Sequence, residues 1–211
     1  MFNQFIQQLK SSLQKELPGE KAQFKMAPLG RMNKQELITK YGVPIPSAVM
    51  ILFYPVNDQP HFVLTVRNTY PGAHSGQVSF PGGRKDEADE SLLFTALRET
   101  EEEIGVSKNQ LEVIGALTDL YIPVSKFMVH SFVVFANERP EFKPDVREVV
   151  ELLEVPVALI LEDSTVKEKE IFIELRNSKI QAPYFDIFGH TVWGATAMML
   201  SELKQVLLKM K

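Results

Sequence analysis

Cysteine is absent from the 211 residues, so the chain can form no disulfide, no thiolate metal centre and no cysteine nucleophile. An excess of basic charge is missing too. Lys and Arg number 23 against 27 Asp and Glu, and the net charge of −4 offers no general attraction to a nucleic-acid backbone or an anionic membrane. No apolar run approaches the roughly 18 residues of a membrane span. The opening stretch MFNQFIQQLKSSLQKELPGEK lacks the compact apolar core of a signal peptide, carries acids and has no Arg, and the closing LLKMK is not a peroxisomal address. A cytoplasmic location is therefore expected, with neither nucleic acid nor membrane as partner. What remains, 45% hydrophobic and 24% charged residues, suffices for a sizeable core in one domain with decoration.

Phe2, Phe5, Ile6, Leu9 and Leu13 recur at helical spacing ahead of Pro18-Gly19, which predicts an amphipathic helix over 2–16 whose stripe packs on the domain. MNKQELITKYG reads as a short helix closed by Gly42, PIPSAVMILFYP as a buried strand, and HFVLTVRN as its hairpin partner across VNDQP. Strands follow at LEVIGALTDLYI, MVHSFVVFA and KEIFIELR, EVPVALILED is a strand running into a short helix, and the tail from Val192 has a helical pattern. Helices flank strands throughout, so the expected class is α/β with a mixed β-sheet, and no repeat or long linker divides it. Residues 1–45 form a helical extension packed on a domain of residues 46–211. His130, Tyr121, Tyr184 and Trp193 are read as core aromatics.

The stretch FPGGRKDEADESLLFTALRETEEEIGV crowds acids at the end of a helix expected over about 90–104, capped by Asp86 or Asp89 and closed by Gly105. At ~100° per residue Leu93, Leu97, Thr100 and Ile104 share the buried stripe, while Arg98, Glu99, Glu102 and Glu103 converge on another side and Glu101 points away. Like charges three and four residues apart each cost a few tenths of a kcal/mol, and they sit at the partly negative end of the helix dipole. Arg98 offsets one charge. A hard divalent cation would offset the others, since Mg²⁺ and Mn²⁺ favour carboxylate and carbonyl oxygens. A solvated acidic face is the plainer alternative. The glycines of SFPGG upstream favour the metal, because they give a loop able to offer backbone groups to a cation or phosphate.

These residues resemble the Nudix box: Gly, five residues, Glu, seven residues, Arg-Glu, apolar, any, Glu-Glu, any, Gly, apolar. Arg98 to Val106 match its second half, with Thr100 at the normally apolar position, and seven residues separate Glu90 from Arg98. Gly83 lies one residue too early, with Arg84 in its place, and that longer loop is similar to the coenzyme A pyrophosphatase branch. VLTVRNTYPGAHSGQVSFPGG keeps that branch's Leu64, Thr65, Arg67, Gly76 and Phe80 to Gly83, but departs from it at Asn68 and Gly72. The tail VWGATAMML also resembles the branch.

The resemblance implies a Nudix-type α/β/α sandwich with Glu99, Glu102 and Glu103 as ligands of Mg²⁺ or Mn²⁺, joined by the Gly83 carbonyl. It makes Arg98 the residue that positions them. A further acid outside the box, Glu148 with Glu151 as substitute, would be ligand or general base, and Arg67 and His74 would contact substrate phosphates. The implied reaction is hydrolysis of coenzyme A or acyl-CoA to 3′,5′-ADP and (acyl-)4′-phosphopantetheine. ADP-ribose or a nucleotide sugar is the other enzymatic reading, and a catalytically silent nucleotide-binding regulator the non-enzymatic one. A homodimer is expected by analogy with the family alone. Glu103 is expected on an exposed face, so that Glu103→Gln would stop turnover and leave the fold untouched.

Overall fold

The computed structural model describes residues 1–68, 76–173 and 178–210. Helix α1, Phe2–Leu13, buries Phe2, Ile6, Leu9 and Leu13, the four-three-four spacing of the predicted stripe. A one-turn helix α2, Gly19–Gln23, leads to α3, Lys34–Tyr41, which opens on a capping box between Asn33 and Glu36 and ends at Gly42.

The sheet is built on β1, Ile45–Val56, whose centre from Met50 to Tyr54 is wholly buried. Asn57 and Asp58, both at positive φ, turn it into β2, Gln59–Arg67. Then come β3, Val78–Ser79, β4, Gly82–Arg84, and the acidic helix α4, Leu92–Ile104. Strands β5, Glu112–Ala116, β6, Leu120–Ile122, and β7, Phe127–Phe135, follow, then β8, Val149–Pro156, and the one-turn α5, Val157–Leu161. A second sheet of β9, Val166–Ile173, β10, Ser178–Ile187, and β11, His190–Trp193, ends in α6, Gly194–Leu208. The β10–β11 hairpin is new relative to the sequence reading, which ran the tail's helical pattern back through Val192 and Trp193. Phe188 and Gly189, both at positive φ, make its turn.

The large sheet runs β3-β2-β1-β7-β5, and β4, β6 and β8 add to β1, β7 and β2. It is mixed, since β1 and β7 are parallel from Ile45↔Phe127 to Phe53↔Phe135 while the other pairs run antiparallel. One face packs Ala48, Met50 and Leu52 against Ala96 and Ile104 of α4. The other packs Ile51, Phe53 and Leu64 against α1 and α6. Helix, sheet and helix make the expected α/β/α sandwich.

Strand β1 divides its partners. Its C-terminal half pairs with β2, whereas Ser47, Ala48 and Val49 pair with Arg84, Gly83 and Gly82 of β4. The same strand that crosses the core thus holds the glycine loop beside α4.

Glu202 of α6 is wholly buried and accepts from Gly19 N at 3.1 Å, Gln23 Nε2 at 2.8 Å, Thr118 N at 3.3 Å and Thr118 Oγ1 at 2.6 Å. It ties α2 and the β5–β6 connection to α6. Glu202→Ala would orphan these donors, and a loss of about 2–4 kcal/mol is expected in chemical denaturation. An unchanged midpoint would show the network to be dispensable.

Candidate active site

Ser91 caps α4, its Oγ accepting from Phe94 N at 3.1 Å, so neither Asp86 nor Asp89 is the cap that was expected. Asp89 is instead buried beneath the helix. It accepts from Thr95 Oγ1 at 2.8 Å, Asp86 N at 3.0 Å, and Arg98 through Nε at 3.0 Å and Nη2 at 2.9 Å. The two-pronged Arg98 contact pulls the Asp89 carboxyl well below the usual carboxylate range despite burial, and Asp89 in turn raises the Arg98 pKa.

The free prong of Arg98 reaches the acids. Nη1 donates to Glu99 Oε1 and Glu102 Oε2, each at 2.9 Å. Glu90, the acid that matches the box by spacing, is exposed, and the acid paired with Arg98 is its neighbour Asp89.

Glu103 corrects the sequence reading. It is 2% exposed rather than solvent-facing, because β4 lies over the flank of α4 next to the stripe of Ala96, Thr100 and Ile104. Leu93 and Leu97, expected on the buried stripe, are only half-buried, since the sheet meets the helix one residue further round. Thr100 sits there comfortably because its hydroxyl donates to Ala96 O at 2.7 Å.

The Glu103 carboxylate accepts from Arg67 Nη1 at 2.9 Å and from Gly82 N at 3.1 Å. Burial nevertheless pushes its pKa up to about 7, Arg67 opposing and the charges of Glu99 and Glu148 adding. Glu99 is raised as well, chiefly by burial, with Arg98 opposing.

The loop geometry explains the two glycines. Gly82 has φ +148°, and a Cβ on it would overlap the Ala48 carbonyl oxygen of β1. A Cβ on Gly83 would overlap the Glu99 carboxylate, so a side chain here would displace the acid from its present place.

The C-terminal end of α4 is stitched to the segment before β8. Gly105, in the left-handed region, bonds its N–H to Glu101 O at 3.0 Å, as expected. Lys143 N and Asp145 N satisfy the carbonyls of Ile104 at 2.9 Å and Glu103 at 3.0 Å. Glu148, exposed three residues on, is thereby held close enough for its charge to act on both Glu99 and Glu103. Glu151 points elsewhere, with Oε2 3.3 Å from His190 Nε2.

Glu99, Glu102, Glu103, Glu148, Arg98, Arg67 and Gly83 are thus brought to one site. His74 lies outside the described residues. Carboxylate oxygens are the donors that a hard divalent cation prefers, and among the described residues no three acids or histidines are already drawn together tightly enough to hold one.

Beside the acids opens a cleft of about 720 Å³, lined by Gly83, Arg67 and Glu99 and extending over mainly apolar side chains. Trp193, read from sequence as core, is half-buried in its wall, whereas Tyr121 is buried as expected. Nothing in local sequence pattern marks this cleft, whose walls come from segments scattered along the chain from Pro28 to Met199.

A Gly-Gly strand laid against an acidic helix on a mixed sheet defines a Nudix hydrolase, and the chain belongs to that family, its residues 44–175 matching the NUDIX domain. The chain is similar to the mitochondrial coenzyme A diphosphatase NUDT8 of Homo sapiens, 32% identical over 166 residues that make up 78% of this chain and 70% of that protein. It is also 33% identical over 147 residues to the Nudix hydrolase NudL of Yersinia enterocolitica, covering 70% of this chain and 74% of the other. The crystal structure of the Nudix hydrolase RenU of M. smegmatis shares the fold, with a TM-score of 0.55 at 15% identity over 79% of this chain and 88% of that one. Nudix hydrolases act on small-molecule nucleotides and generally use divalent metals such as Mg²⁺ or Mn²⁺. No helix among the described residues is long and apolar enough to cross a membrane.

Asp89→Asn would weaken the hold on Arg98. The expected result is a loss of about 1–3 kcal/mol in stability and about 10- to 100-fold in turnover. Wild-type values for both would show that Arg98 is positioned without Asp89. For Glu103 the folded pKa lies above the ordinary 4.5, so its contribution to the stability of metal-free protein is present below pH 4.5 and lost as pH rises through about 7. Glu103→Gln should flatten that fall in denaturation midpoints between pH 4.5 and 7 and abolish turnover. A wild-type pH slope in the variant would refute the assignment.

Proposed function

We propose that this chain is a metal-dependent pyrophosphohydrolase that cleaves coenzyme A or acyl-CoA to 3′,5′-ADP and (acyl-)4′-phosphopantetheine. The observation that supports the reading is Glu99 packed against Gly83 at a cleft far larger than a diphosphate requires, with Glu102 tied to Glu99 through Arg98 and the charges of Glu103 and Glu148 acting on the same acid cluster. The likeness to a coenzyme A diphosphatase supports the substrate, as does the one-residue extension of the loop after Gly83.

Glu99, Glu102 and Glu103, with the Gly83 carbonyl, would hold Mg²⁺ or Mn²⁺. The bound cation supplies charge neutralisation of the diphosphate oxygens and a lowered pKa for coordinated water. The chain's own groups do the positioning. Arg98 fixes Glu99 and Glu102 from behind, and Arg67 with Gly82 N fixes Glu103, so the carboxylates need no reorganisation when substrate arrives.

Glu148, exposed beside them, would accept the proton of the attacking water at a carboxylate oxygen. The water oxygen bonds to phosphorus, the bridging P–O bond breaks, and each half of the substrate leaves as a phosphate monoester. Arg67 and His74 would meet the phosphates. The expected setting is the cytoplasm.

Mass-spectrometric product analysis with Mg²⁺ or Mn²⁺ tests the reading across coenzyme A, acyl-CoA, ADP-ribose and nucleotide sugars. Release of 3′,5′-ADP from the coenzyme A substrates at the highest kcat/KM is expected. Intact coenzyme A alongside AMP from ADP-ribose would move the chain to another Nudix specificity. No product from any substrate would indicate a silent binding fold.

A further inference from the structure

The cleft holds polar groups that the acidic site does not use. Pro28 to Met32 wall it on one side, the β6–β7 turn on another, and Trp193 with the first turns of α6 on a third. Most of this surface is apolar: Leu29, Met32, Val124, Phe127 and Met198 contribute side chains. Within it, two buried polar atoms, Arg31 Nε and Ser125 Oγ, find no hydrogen-bond partner among the described residues. Arg31 is anchored, since its Nη2 donates to Tyr121 O at 2.6 Å. Burial lowers its pKa, with Glu20 opposing, so the guanidinium has already given up much of its water.

A buried N–H and a buried hydroxyl left unpaired each cost free energy that a ligand acceptor could return. Diphosphate does not suit the place. It would demand several uncommitted donors, whereas beyond Arg67 and Arg84 the lining is mostly apolar and the hydroxyls of Ser47 and Thr196 are already spent on Met128 O and Val78 O. An amide carbonyl on an otherwise apolar arm matches both the number of donors and their setting.

We propose that this cleft is an arm-binding subsite, in which Arg31 and Ser125 read an amide acceptor while the apolar wall takes the acyl end of an S-acylated pantetheine arm. This rests on the coenzyme A reading, which it deepens. It makes the acylated substrate the preferred one, and it gives the arm an affinity of its own, separate from the diphosphate and from metal.

Trp193 is the only tryptophan in the chain and lies in the cleft wall, so its emission reports occupancy. Metal-free protein is titrated with S-butanoyl-, S-hexanoyl- and S-octanoyl-pantetheine, which carry no diphosphate and cannot be turned over. Saturable changes in Trp193 emission are expected, with affinity rising about three- to fourfold per methylene until the cleft is full. Ser125→Ala, which changes little in volume, should weaken binding about 3- to 10-fold. Arg31→Lys, which keeps the charge and loses Nε, should do the same. Ala195→Leu, which intrudes on the cleft, should shorten the preferred acyl chain.

Absence of binding, or binding indifferent to acyl length and to Ser125→Ala, would overturn the proposal even if acyl-CoA is hydrolysed. Weakening of 3′,5′-ADP rather than acyl-pantetheine by the same variants would overturn it too, by giving the cleft to the adenosine half. If acyl-pantetheine binds as described while coenzyme A stays intact, the subsite stands and the reaction assigned to the acids fails.

Discussion

Acids clustered on one short helix repel one another, and the guanidinium of Arg98 is what allows them to stay. It grips buried Asp89 with two nitrogens and spends its remaining prong on Glu99 and Glu102. Since Asp89 precedes the helix and is itself fixed by Thr95 and the Asp86 amide, the pair also locks the loop from β4 to the helix start. A planar fork suits this task, because one rigid group can satisfy three carboxylates at defined angles.

The same helix has to face two ways. Ala96, Thr100 and Ile104 pack on the sheet, and the neighbouring flank carries Glu99 and Glu103 under the β4 backbone. Small residues make this possible. Gly82 and Gly83 let backbone approach carboxylate, and β1 sets their height through register with Ser47, Ala48 and Val49. Core strand and acidic site therefore share a single set of hydrogen bonds, so a change in strand packing is felt directly at the carboxylates.

Much of this was legible in the sequence. The hairpin of β1 and β2 and the stripe of α1 follow from local spacing, and the box from Arg98 to Val106 from its resemblance to the Nudix signature. That Asp89 would grip Arg98 rather than cap the helix was not, because spacing identifies acids near the helix start without saying which of them turns inward. Burial of Glu103 escaped for a similar reason. Helical periodicity gives the angle between side chains, but the position of β4 decides which flank is covered. The cleft was the least visible, since Arg31, Ser125 and Trp193 are distant in the chain and become neighbours only through tertiary packing.

The charge left at the site shapes the order in which things can bind. Among the described residues, Asp89, Glu99 and Glu102 pair with the guanidinium of Arg98 and Glu103 with that of Arg67, while Glu148 adds its negative charge beside Glu99 and Glu103. A bare diphosphate approaching this surface meets like charge, amplified by the low dielectric around Glu103. On the metal-dependent reading proposed above, a diphosphate arriving with its cation would meet less repulsion here than one arriving bare.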